Sequence, residues 1–158
     1  VKFLIIGRKE VNEPRVSPHV KRLGIEKHVE FIDHMPQQEL YKLLAGAMAG
    51  VLLTGRFYCW WCLYAKLADY LALRKPVLAM VPDPSEARTR LTQAGLGIFL
   101  DSDHGTAALK LGDFLAGKMN LPLSDNVECT KYTANWQVRS FVELFDDLLV
   151  GKGGNGGK

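Results

Sequence analysis

The chain has 158 residues and only three cysteines. An odd, low cysteine count argues against a disulfide scaffold and suits a reducing compartment. No second cysteine pair or histidine pair stands at ligand spacing, so a structural zinc site lacks its donors. No apolar run is long enough to span a bilayer, and no secretory signal heads the sequence. Charge is not concentrated: lysines and arginines are scattered, the net charge is +3, and the pI is about 8.8. Nucleic acid is therefore not an expected partner, while an anionic small ligand or peripheral contact with an anionic membrane surface is compatible. The turn Gly7-Arg8-Lys9-Glu10 lacks the spaced glycines of a dinucleotide fingerprint, which disfavours NAD. There is no internal repeat and no low-complexity segment before the glycine-rich end.

What is present is an apolar fraction of 47%, enough for a sizeable core. Short apolar runs alternate with amphipathic segments. The runs Val1–Ile6, Val29–Ile32, Gly50–Leu53, Pro76–Val81 and Gly97–Asp101 read as strands, and the pattern between them reads as helices. Ser17 as N-cap with Pro18 at the first helical position predicts a helix start, and Gly24 its end. A helix over Gln37–Ala47 has the face Leu40, Leu43, Leu44 and Ala47. Ser85 predicts the cap of a helix with Ala87, Leu91 and Ala94 inside, stopped by Gly95. Further helices are expected over Thr106–Ala116, packing Leu111, Phe114 and Leu115, and over Thr133–Leu149. The buried stripe of the last helix would be Val138, Phe141, Val142, Phe145 and Leu149, with an irregular stretch, 121–130, before it. Five alternations predict an α/β fold, a doubly wound parallel sheet with helices on both faces. The opening directly on a strand suggests a domain, 1–150, excised from a longer protein. Residues 151–158 read as a flexible glycine-rich tail.

The chain is organised around Leu63–Ala79. Leu63, Leu67, Tyr70 and Leu71 share one face at helical spacing. Lys75-Pro76 ends the helix, and Val77–Val81 continues as a buried strand. Lys66 and Asp69 fall on one side near the helix start.

This stretch resembles the donor-binding signature of GT-B glycosyltransferases of the glycosyl transferases group 1 type. That signature runs roughly Gly-Lys-x-x-Glu-Tyr-Leu-Ala-x-Gly-Lys-Pro-Val. Here the residues are Ala65-Lys66-Leu67-Ala68-Asp69-Tyr70-Leu71-Ala72-Leu73-Arg74-Lys75-Pro76-Val77. The phrases Leu23-Gly24-Ile25-Glu26-Lys27-His28-Val29-Glu30-Phe31 and Glu39-Leu40-Tyr41-Lys42-Leu43-Leu44-Ala45 are similar to further steps of that family. The resemblance implies a Rossmann-like domain, one half of a GT-B architecture. Its activity would be hexosyl transfer from a nucleotide-diphosphate sugar in cytoplasmic polysaccharide biosynthesis, at the inner face of the membrane if peripheral contact is made. It implies no cofactor or metal beyond the donor substrate. It also implies a separate N-terminal acceptor-binding domain as partner, without which the isolated chain is inactive.

Gly7 and Arg8, leaving the C-terminal end of the first strand, are ligand candidates by position, the plainer readings being a tight turn and an ordinary exposed arginine. The further donor-binding residues implied are His34, Met35, Thr54, Gly55, Tyr64, Ala65, Lys66 and Asp69. Gly55 would let backbone approach the diphosphate, free N–H groups at the helix start would attract it, and Lys66 would add a charge. Asp69 would accept hydrogen bonds from ribose hydroxyls, and His34 and Met35 would lie near the base. The plainer reading makes Lys66 and Asp69 a solvated helix face and His34 a surface-loop histidine. No catalytic residue is assigned. The family's Glu-x₇-Glu pair is incomplete: the second acid matches Asp69, but the first falls at Trp61. The motif Cys59-Trp60-Trp61-Cys62 admits a redox reading. Its tryptophans would either stack against a sugar or base, or pack on another domain. Two other functions stay open. One is a Rossmann-like interaction module without chemistry. The other is a nucleotide-sugar epimerase of GT-B architecture, for which the sequence offers no acidic and histidine cluster.

Overall fold

The computed structural model describes residues 1–54, 60–100, 103–119 and 127–152. Among these lie five strands and seven α-helices. The chain divides into two compact units, 1–43 and 44–158. Every strand pairing is parallel, so the α/β class expected from the alternating pattern is observed.

In the first unit, β1 (Phe3–Ile6) pairs with β2 (Val29–Ile32) in a two-stranded sheet. Between them runs α1 (Lys9–Arg22) and a short 3₁₀ turn, Glu26–His28. The sequence pattern places a helix start at Ser17-Pro18, but α1 continues through both Pro14 and Pro18. Each proline removes one amide donor from the helical ladder. Both lie on the exposed side, where a carbonyl without a donor is open to solvent, while Val20 is buried. Gly24 does end the helix: it adopts a left-handed φ of 65° and its N–H donates to the Lys21 carbonyl.

α2 (Gln37–Gly46) leads to the second unit, where β3 (Gly50–Leu53), β4 (Val77–Met80) and β5 (Gly97–Phe99) form a three-stranded sheet in that order. The crossovers are α3 (Ala65–Ala72) and α4 (Glu86–Ala94). Leu63, read as part of the first crossover helix, precedes it and is exposed, because the helix opens only after Tyr64. Leu67 and Leu71 of α3 are wholly buried, as are Leu52, Val77, Ala79 and Leu91, and they form one cluster with Ala87, Ala94 and Leu96. Along β4 the fully buried residues alternate, Val77 and Ala79, as the two-residue period of a strand requires. α4 starts and stops as its sequence predicts. The Ser85 hydroxyl accepts from the Arg88 N–H at 3.2 Å, and Gly95 takes the left-handed φ of 67° that closes the helix.

After β5 come α5 (His104–Leu115), α6 (Val127–Thr130) and α7 (Ala134–Lys152). α5 is capped by the Asp103 carboxylate and buries Phe114, whereas Leu115 is exposed. α6 occupies the end of the stretch read as irregular, and Cys129 on it is buried in the core cluster. Two expectations for α7 fail. The helix extends to Lys152, two residues into the segment read as a tail. Its stripe of Val138, Phe141, Val142, Phe145 and Leu149 is exposed, because no described element covers that face. Among the described residues no helix is long and apolar enough to cross a membrane.

Lys75 links two connections of the second unit. Its ammonium donates to the carbonyls of Ala45 and Ala47 at 2.5 and 3.1 Å, satisfying acceptors at the C-terminal end of α2. Gly50 and Tyr70 meet closely: a Cβ on Gly50 would lie 2.6 Å from the Tyr70 ring. Gly50→Ala therefore overpacks the start of β3. It is expected to cost about 1–3 kcal/mol, read from the denaturant midpoint. Combined with Tyr70→Leu, the loss should be smaller than the sum of the two single losses.

Candidate functional site

The residues expected to bind a ligand fall into two groups, one in each unit. In the second unit, α3 runs back along β3. Tyr70, near its C-terminal end, packs on Gly50 and reaches toward the Val51 carbonyl at 3.5 Å. The N-terminal end of α3 therefore points toward the C-terminal end of β3, where Thr54 leaves the sheet. Thr54 is held there: its N–H donates to the Met80 carbonyl at 3.0 Å and its hydroxyl reaches the same oxygen at 3.5 Å. Gly55 lies outside the described residues, as does Cys59.

The start of α3 is built differently from those of α4 and α5. Tyr64 occupies the cap position in extended conformation, with no side-chain cap bond. Its carbonyl accepts from the Leu67 and Ala68 amides at 2.8 and 3.3 Å. Among the described residues, the N–H groups of Ala65 and Lys66 meet no protein acceptor. Such groups carry the positive end of the helix dipole. Lys66 stands in the same turn. It forms no hydrogen bond or ion pair among the described residues, and partial desolvation lowers its pKa. Asp69 lies one turn further along the same side and is half-buried. Tyr64 is partly buried and packs against the core cluster.

Trp60 and Trp61 precede this helix. Both are 62% exposed, with rings edge-to-face at a centroid distance of 5.5 Å. The Trp60 carbonyl accepts from the Glu86 amide at 2.6 Å, tying the loop to the first turn of α4. This tether leaves no trace in the sequence, since it joins two backbone atoms. Arg88 lies 4.2 Å over the Phe99 ring and pairs with Asp83 at 3.1 Å, so it is already engaged. Cys62 is half-buried, and among the described residues no three His, Cys, Asp or Glu side chains group to hold a metal.

In the first unit Gly7, Arg8, His34 and Met35 gather at the C-terminal ends of β1 and β2. Gly7 has a φ of 142° and donates to the Ile32 carbonyl at 3.1 Å. Here the helix start is occupied by the protein itself. The Asp33 carboxylate accepts from the Lys9 amide of α1 at 3.5 Å and from the His34 amide at 2.7 Å. Arg8 pairs with Glu10 at 3.1 Å and is largely solvated. Sequence reasoning does not single out Asp33, whose only signal is a carboxylate leaving the end of a strand. Its effect is to place a negative charge where an anionic ligand of Gly7 and Arg8 would sit.

The fold and site together define an α/β protein with parallel sheets and an uncapped crossover helix at the strand ends, the place where open α/β sheets take ligands. Comparison with protein-family models, curated proteins and solved structures finds no match.

The carboxyls of Asp33 and Asp103 both lie below the usual value of 3.8 because backbone amides donate to their charged forms. A folded pKa below the unfolded one gives stability that is complete above the unfolded value and lost as pH falls through the folded one. Carboxyl-carbon NMR titration should give both groups midpoints under 3.8. A midpoint at or above that value for Asp103 would remove its assignment as the α5 cap.

Proposed function

We propose that this chain is the donor-binding half of a glycosyltransferase, a Rossmann-like domain of GT-B type. It would bind a nucleotide-diphosphate sugar for hexosyl transfer to an acceptor held by a separate N-terminal domain. The observation that carries this reading is the uncapped start of α3 at the strand ends of the β3–β4–β5 sheet, where two N–H groups and Lys66 have no partner among the described residues. A diphosphate fits such a place by charge and by hydrogen bonding. The register of Lys66 and Asp69 with Tyr70-Leu71-Ala72 and Lys75-Pro76-Val77 supports it further.

In the reaction, the bond between the anomeric carbon and the diphosphate oxygen breaks and negative charge grows on the leaving diphosphate. The backbone amides of Ala65 and Lys66, the Lys66 ammonium and the Thr54 hydroxyl would stabilise that charge. Asp69 would hold the ribose hydroxyls. Trp61, where related enzymes carry an acid, gives a flat apolar contact in place of a carboxylate. The acceptor hydroxyl, and the group that takes its proton, belong to the N-terminal domain, so the chain alone supplies binding and no turnover.

A second reading, an interaction module without chemistry, draws on the exposed Trp60–Trp61 pair, since aromatic residues are enriched at interfaces. Amide-NMR titration with UDP, GDP and ADP separates the two. The donor reading expects saturable shifts at Thr54 and Tyr64–Asp69 for one nucleotide, weakened about tenfold or more by Lys66→Ala. Binding unchanged in Lys66→Ala and Asp69→Ala would overturn the assigned site. No shift at millimolar nucleotide, with loss of a protein partner in Trp60→Ala/Trp61→Ala, would favour the module.

A further inference from the structure

α7 carries an apolar stripe that nothing in the described chain covers. Val138, Phe141, Val142, Phe145, Leu148 and Leu149 are each more than half exposed. Their spacing sets them on one face of a helix about 28 Å long at ~1.5 Å per residue. A contiguous patch of this kind on a soluble chain marks an interaction surface. The charges on the same helix decide between occupants. Glu143, Asp146 and Asp147 crowd its C-terminal half, which opposes docking on an anionic lipid surface.

Arg139 and Asp146 stack along one flank of the stripe, and neither has an ion pair among the described residues. In a parallel copy related by a two-fold axis the two copies of this flank lie on opposite sides of the interface, so neither Arg139 nor Asp146 finds an opposite charge across it. An antiparallel copy related by a two-fold axis brings the same flank of each helix together with the order reversed. Arg139 then meets Asp146 of the second copy, twice over. The same register sets Val138 against Leu149 and Val142 against Phe145. Glu143 points away from the stripe, so it does not confront itself.

We infer that α7 is a self-association surface: two copies of this chain pair their α7 stripes antiparallel, with Arg139 of each facing Asp146 of the other. The pairing uses one helix per copy, a smaller contact than a permanent dimer has, so the dimer is reversible and forms in the micromolar range.

Sedimentation equilibrium of the whole chain tests this, and it involves no nucleotide. The wild type should show a concentration-dependent monomer–dimer equilibrium. Phe141→Ser/Phe145→Ser should weaken it about tenfold or more without changing the melting transition, because both rings are exposed in the monomer. Arg139→Asp and Asp146→Arg should each weaken it about fivefold, since each sets like charges together. An equimolar mixture of these two variants should recover wild-type strength as a heterodimer, in which every facing pair is again opposite in sign. A wild type that stays monomeric at millimolar concentration overturns the inference, as does a monomer that co-sediments with anionic vesicles. A dimer that the mixture fails to restore overturns the antiparallel register.

Discussion

Leu67 and Leu71 leave no surface to solvent, and they do so by packing α3 on Leu52, Val77 and Ala79 of the sheet beneath. Burying side chains of this size contributes about 1.5–3 kcal/mol each, so α3 has one seat and one direction. Gly50 refines that seat, since only a residue without Cβ lets the Tyr70 ring lie against the strand. The position of the helix start, and with it the placement of Ala65, Lys66 and Asp69, follows from contacts near the other end of the helix. The polar residues of the candidate site thus depend on apolar residues that touch no ligand.

Helix starts in this protein are handled in contrasting ways. α4 and α5 satisfy theirs with a serine and an aspartate cap, and the first amide of α1 meets Asp33. Of these four helices only α3 has neither a side-chain cap nor a carboxylate at its first amide, and Lys66 in the same turn has no counter-ion among the described residues. An unsatisfied donor pair has an energetic cost that a solvent-facing loop can bear and that an anion would remove. The Trp60–Glu86 backbone bond ties the residue four positions before that end to the start of α4.

Much of the fold is legible in the chain. Val29–Ile32 and Gly50–Leu53 are strands over the very residues that their apolar runs mark, and Ser85 and Gly95 bracket α4. These features are local: a cap, a left-handed glycine, a two-residue period. The start of α1 was hidden because Ser-Pro is a start signal only when the preceding residues are not already helical, and Lys9–Val16 are. The fate of the α7 stripe was hidden for a different reason, because periodicity shows that a face is apolar and not what covers it. At the site, Lys66 and Asp69 are legible through helical spacing. Asp33 and the Trp60 tether arise from contacts between segments distant in sequence, which no local pattern encodes.

Cys129 sits on the one-turn helix α6 with 2% of its surface exposed, among the leucines that seat α3. A thiol reagent cannot reach it while that packing holds, whereas the half-buried Cys62 is more accessible in the folded chain. Alkylation of Cys129 must wait for α6 to lift from the core. Its rate then acts as a clock for opening of the second unit, governed by how often the α3 seat is vacated rather than by the chemistry of sulfur. The same leucines that aim the helix start toward the strand ends thus decide how long one sulfur atom stays out of reach.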